Sequence, residues 1–225
     1  MPAPTSIPPL ARTLTDGRSG EVVFLSHCLL NEHTRYLGGA SRPACVESIV
    51  AQCVDERLGM VQMPCPEERS WGGVLKRRFL ALYGLSARHP VLGPLLAPLI
   101  ATLAERYSRL AYRRLADGVA RQARDYLDAG YHIRAVVAVD GSPSCGLRSR
   151  IDFASLAEFM ALEPTDVTVE ATNDILRRHT RDGQGLFTSE LQRALRRRGV
   201  RVHFLAHDLP GERAGTPSTL NLGDP

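Results

Sequence analysis

A chain of 225 residues with 44% hydrophobic side chains is long enough for one large α/β domain or two small ones, with a sizeable core. Its 28 basic and 24 acidic residues leave a net charge of +4, compatible with an anionic ligand but too small an excess to mark a nucleic-acid binder. Five cysteines at irregular spacings argue against a disulfide scaffold. The most apolar window, 90–104, is too short and too interrupted by Pro94 and Pro98 to span a bilayer.

Residues 1–20 are rich in Pro, Thr and Ser and lack the apolar centre of a secretory leader, so they read as a loose arm. The cytoplasm, with its thiols kept reduced, is the expected compartment. Residues 21–26 (EVVFLS) predict a buried strand. Residues 43–58 have helical spacing, with Val46, Ile49, Val50, Cys53 and Val54 on one face and Gly59 as the stop. Residues 60–63 predict a second strand that ends at Cys65. The stretch 74–130 reads as mostly helical, an insertion or lid. Pro90, Pro94 and Pro98 are expected to break it early, with an amphipathic helix from there to about Gly130.

Residues 135–140 (AVVAVD) predict a third strand, running into GSPSCG. Ser189 is placed to cap a helix through Arg198, with Gly199 as its stop. Residues 201–206 predict a fourth strand, and the Gly- and Pro-rich tail after Pro210 reads as irregular. Apolar strands alternating with helices give an α/β fold class: a small Rossmann-like open parallel sheet flanked by helices, with 21–210 as one domain.

Cys28, Cys65 and Cys145 each follow a predicted strand. Ligands of open parallel sheets bind beyond the carboxyl ends of the strands, so these three are expected to converge in one crevice. Pro64 and Pro66 stiffen the chain around Cys65. Cys45 and Cys53 fall in a predicted helix and read as small buried hydrophobes. Three thiolates suit an iron–sulfur cluster with one iron left without a protein ligand, an open Lewis acid for a soft sulfur atom. Zinc is the alternative, although the paired C-x-x-C spacing of structural zinc sites is missing.

The motifs SHCLLN (26–31), Arg35-Tyr36, CPE (65–67) with Gly72-Gly73, and SPSCG (142–146) occur in that order. Together they resemble the thiouracil desulfurase (TudS-like) family. The resemblance covers the N-terminal region to about residue 73 and then roughly 131–150. It implies a [4Fe-4S] cluster held by Cys28, Cys65 and Cys145, whose open iron takes a thiocarbonyl sulfur. It also implies a non-redox desulfuration that replaces sulfur by oxygen. The chain departs from the family's pattern at His27, at Asn31 and after Gly73, where GVLKRRF stands, so it resembles a divergent branch.

Around such a centre Glu67 is the candidate base, with Glu68 as its understudy. Ser142 is placed to hydrogen-bond a substrate heteroatom or relay a proton, or to serve as a turn residue before Pro143; Ser144 reads as structural, and Asp140 as a turn residue or a support for the groups around it. Asn31, Arg35 and Tyr36 are candidates for orienting a planar thiolated heterocycle. Trp71 is expected to wall the pocket or to pack under the long helix. His27 is expected to point away from its neighbour Cys28, as alternate side chains of a strand do. The runs 76–78 and 196–198 read as solvated basic faces, with a phosphate contact as the sharper alternative, one that would bring in a thiolated nucleotide or RNA. Two other readings compete: a non-catalytic iron–sulfur redox sensor or sulfur carrier, and a hydrolase using Cys65 or Cys145 with a histidine among His27, His33, His132 and His207.

Overall fold

The computed structural model describes residues 16–213, 220 and 222. Most of the expected N-terminal arm and of the C-terminal tail lies outside them. Of that tail, 211–213 belong to a short helix rather than to an irregular segment.

The described residues contain the strands β1 (Glu21–Leu25), β2 (Gly59–Gln62), β3 (His132–Val139), β4 (Ser149–Ile151), β5 (Thr180–Asp182) and β6 (Phe204–His207). The main sheet has the order β2-β1-β3-β6 and is parallel throughout. Its central strands are buried on both faces, which is why EVVFL and AVVAV are continuous apolar runs rather than alternating ones. β4 and β5 form a separate antiparallel ribbon.

The helices are α1 (His27–Leu30), α2 (Glu47–Asp55), α3 (Pro66–Trp71), α4 (Arg77–Ala87), α5 (Leu92–Asp128), α6 (Ala154–Met160), α7 (Val169–Arg178), α8 (Leu186–Arg197) and α9 (Leu209–Arg213). After β2 the chain reverses its direction across the sheet. Right-handed crossovers then place α2 on one face and α5 and α8 on the other. No helix among the described residues is long and apolar enough to cross a membrane.

Several boundaries differ from the sequence reading. α2 is shorter than 43–58: Cys45 precedes it, Val46 caps it, and Val54 is exposed rather than on the buried face. The chain leaves α2 through Arg57 at φ +56°, so Gly59 opens β2 instead of stopping the helix. Pro94 and Pro98 do not break α5. Pro94 sits in its first turn, where N–H groups have no intrahelical partner in any case, and the helix continues through Pro98. α8 begins at Leu186, before Ser189, and ends as expected at Gly199, whose φ is +66°. The fourth strand is 204–207. β4, β5, α6 and α7 fill a stretch for which the sequence reading gave no elements.

At 37 residues α5 spans about 55 Å, and its two halves do different work. The second half packs Tyr112, Ala116, Val119, Ala120 and Ala123 into the sheet core as the crossover helix between β2 and β3. The first half makes a smaller core through Ala97, Ala101 and Ala104 with Leu156 and Met160 of α6. The small residues on this stripe let the helices approach closely. Between the two cores, at the carboxyl edge of the sheet, the structure leaves a cavity.

Candidate functional site

From β1 the chain steps outward to β2 and then returns past β1 to β3, so the strand order reverses between β1 and β3, the switch point where open α/β sheets bind ligands. Cys28 lies three residues past the end of β1 and Cys65 three past the end of β2. Cys145 lies six past the end of β3. All three line one cavity of about 340 Å³, together with Glu67 and Ser142. Cys65 is the cap of α3, its Sγ accepting from the Glu68 N–H at 3.5 Å, while Pro66 starts the helix where no N–H is needed. The two prolines thus set the thiol at the mouth of a helix turn.

The loop that carries Cys145 is built around Asp140. Its Oδ1 accepts from the N–H groups of Leu147, Arg148 and Ser149 at 3.0, 2.8 and 3.3 Å, and its Oδ2 accepts from Arg148 Nε at 2.6 Å. Inside that ring Ser142 Oγ accepts from the N–H groups of Ser144 and Cys145. A side chain at Gly146 would place its Cβ 2.1 Å from Ser149 O, and one at Gly185 would meet Ser144 O at 2.4 Å. Both contacts are with backbone that cannot yield, so the loop closes only because these positions are glycine.

Burial works against the charge of Asp140, but the N–H donors of Arg148, Leu147 and Ser149 and the Arg148 guanidinium outweigh it, holding the carboxyl below its usual range. A carboxylate with a depressed folded pKa stabilises the fold above its unfolded pKa of about 4, and that contribution is lost as pH falls through the folded value. Asp140→Ala is therefore expected to cost about 3 kcal/mol at pH 7, by leaving several buried donors unmet. Urea unfolding at pH 7, 5 and 3 checks this: the gap between the native protein and the variant stays constant down to about pH 4 and narrows below it.

Glu67 is held from the β3 loop. Ser144 Oγ donates to Glu67 Oε1 at 3.0 Å and lies 3.6 Å from Cys145 Sγ. The hydroxyl that reaches the carboxylate is thus Ser144, read from sequence as structural, while Ser142 lines the cavity and holds the turn. Trp71 meets both expectations. It lines the cavity, and it packs edge-on to Tyr107 at 5.4 Å while donating from Nε1 to Ser108 Oγ at 3.2 Å on α5.

Arg35 and Tyr36 also line the cavity. Arg35 stands 3.1 Å from the buried carboxylate of Glu32, and Tyr36 donates to Asn173 Oδ1 at 2.9 Å on α7. Asn31 does not join them. Its Oδ1 accepts from the His33 N–H and starts the single turn 32–34, and Asn31 itself does not line the cavity. His27 does face the cavity, contrary to the alternation argument, because β1 ends at Leu25 and His27 already begins α1. Burial lowers its pKa, with Glu68 Oε2 at 3.9 Å opposing. Of the other histidines weighed, His132 pairs with Glu21 at the far edge of the sheet, His33 is exposed, and His207 is buried against Glu212.

Lys76 and Tyr112 also line this cavity, and neither stands out in the sequence as a site residue. Lys76 is buried, not on a solvated face. Its Nζ donates to Thr34 O at 2.6 Å, and no carboxylate lies within ion-pair distance of it among the described residues. Tyr112 reaches the cavity from α5, and its pKa is raised by burial and then by Glu67. Arg197 and Arg198 of the second basic run pair with Asp117 on α5 at 3.0 and 3.2 Å.

All three thiols are held protonated. Burial pushes Cys65 up to about 12, with Glu67 adding to the rise, and it raises Cys28. Cys145 lies well above the usual thiol range through burial and then through the neighbouring Cys28 and Cys65. That mutual influence is the sign of three sulfurs sharing one desolvated space. A nucleophilic cysteine needs its pKa lowered, and none of the three has that. Among the described residues, no three His, Cys, Asp or Glu side chains gather as a single metal ion requires. No family model, no curated protein and no solved structure matches the chain.

Proposed function

We propose that this protein is a desulfurase that replaces the thiocarbonyl sulfur of a small heterocycle by oxygen, using a [4Fe-4S] cluster held by Cys28, Cys65 and Cys145. The observation that carries the reading is the arrival of three cysteines, from the ends of three neighbouring parallel strands, in one cavity beside a carboxylate. The donor set fits the group. Structural zinc sites close four ligands, commonly from paired C-x-x-C spacings, whereas this cavity offers three cysteines from three separate segments, which is the donor number of a cluster with one open iron. Metal ligation also displaces the thiol protons that burial otherwise retains.

When bound, a cluster with three protein ligands supplies one open iron as a Lewis acid for the thiocarbonyl sulfur, which leaves the attached carbon electrophilic. The protein's own groups do the rest. Glu67, oriented by Ser144, takes a proton from a water molecule as its oxygen bonds to that carbon. The carbon–sulfur bond then breaks, sulfur leaves with its electron pair as hydrosulfide, and the carbonyl forms. Water and the thiocarbonyl compound become the carbonyl compound and hydrogen sulfide, with no net oxidation. Lys76 brings a positive charge to the same space, beside Cys65.

The test is anaerobic purification with iron and acid-labile sulfide analysis, followed by a screen of thiolated bases and nucleotides for sulfide release. About four irons per chain and release from at least one thiocarbonyl are the expected result. Iron without release from any of them would turn the reading toward a redox sensor or sulfur carrier. No iron after reconstitution would remove it.

A further inference from the structure

The cavity has two unlike ends. At the sheet edge it presents thiols, a carboxylate, a hydroxyl and a lysine. Its outer wall comes from three helices: Phe79 and Leu80 of α4, Leu156 and Phe159 of α6, and Ile175 and Leu176 of α7. The ring centroids of Phe79 and Phe159 lie 5.4 Å apart, those of Tyr83 and Phe159 5.1 Å, so the wall is a packed surface. The polar side chains beside it are engaged by nearby backbone, and Asp152 Oδ2 also faces Arg150 at 3.9 Å. Asp152 Oδ1 accepts from the Ala154 N–H, Ser155 donates to Asp152 O, and Thr172 donates to Thr168 O.

Size sharpens the contrast. A cavity of about 150 Å³ accommodates a benzene ring, and this one holds about 340 Å³. Without a cluster, a single six-membered ring leaves more than half of this volume empty; a cluster on the cysteines would take its share at the sheet edge and leave the outer wall to the substrate. A wholly polar remainder of the substrate would gain nothing from the outer wall and would lose its own hydration there. The mouth continues the apolar surface outward: Leu37 is 68% exposed, Leu75 46% and Leu80 40%.

We infer that the substrate carries an apolar arm, a ring or a chain of several methylenes, that lies against α4, α6 and α7 while its thiocarbonyl meets the cysteines. Only the head group of this inference rests on the desulfurase reading; the arm rests on the helical wall.

Trp71 is the single tryptophan of the chain and lines the cavity, so its fluorescence reports binding without turnover. The full-length protein is titrated with straight-chain thioamides from thioacetamide to thiohexanamide. Each buried methylene tightens an apolar site by about fourfold, so Kd falls about fourfold per step. Leu80→Glu puts a charge at a partly exposed position of the mouth, where the fold tolerates it, and flattens that dependence. Phe159→Ala, which enlarges the wall, weakens the longest probe more than the shortest. A Kd independent of chain length, or an unchanged slope in Leu80→Glu, overturns the inference. Sulfide assays on the anaerobically reconstituted protein separate the two readings. Chain-dependent binding with no release from any probe keeps the arm and removes the desulfurase. Release with no chain-length preference in Kd keeps the desulfurase and removes the arm.

Discussion

Replacing Cys28, Cys65 or Cys145 by alanine, one at a time, abolishes stable retention of iron and acid-labile sulfide, whereas Cys45→Ala and Cys53→Ala leave both unchanged. The three sit on separate segments beyond three strands, and nothing else at the cavity offers a thiolate to replace a lost one. A cluster bound through two thiolates leaves two irons open to solvent and is readily lost. Cys53 is fully buried in the core between the sheet and α2, so its replacement costs stability, on the order of 1 kcal/mol, and no iron. Cys45 lies in the loop before α2, away from the cavity lining. The check is iron and sulfide per chain after anaerobic reconstitution, with the visible absorption of each variant. A triad variant that retains as much iron as the native protein would refute the ligand assignment.

The parts of the molecule legible in the sequence are those where burial leaves one pattern available. β1 and β3 are covered on both faces, so their residues form apolar runs bounded by polar ones. Parallel strands send their following segments to one edge, so the cysteines after β1, β2 and β3 are expected together from their positions in the sequence. What stayed hidden depends on contacts across the chain. Lys76 looks like part of a solvated run because its partner, the Thr34 carbonyl, comes from 42 residues away. Tyr112 is one member of a long helical stripe, and only the position of α5 over the sheet edge makes it a cavity residue. His27 was misplaced by a single residue of strand boundary, since the alternation that would turn it away stops at Leu25. Ser144 and Ser142 differ by one turn of a loop whose path is set by Asp140, Gly146 and Gly185, and Gly185 is 39 residues further on than Gly146. β4 and β5 have three residues each, too few for a period to show.

Glu67→Gln is expected to lower sulfide release by about 10²- to 10⁴-fold, the range for a positioned general base, with iron content and Trp71 emission unchanged. Glutamine keeps the size of the side chain, and its amide oxygen still accepts from Ser144, so the loop and the cluster ligands stay in place. It cannot take the proton that water must lose as its oxygen bonds to carbon. Ser144→Ala removes the bond that orients the carboxylate and costs less, about three- to tenfold, as one hydrogen bond would. Ser142→Ala behaves differently again. It strips the acceptor from the N–H groups of Ser144 and Cys145, so its loss appears in iron retention before it appears in rate. This ordering separates a base and its positioning hydroxyl from a turn residue, because a merely structural carboxylate would lose iron along with activity. If Glu67→Gln turns over at the native rate, the proton goes elsewhere. His27 is then the group to test, because it faces the same cavity and an imidazole is able to accept a proton.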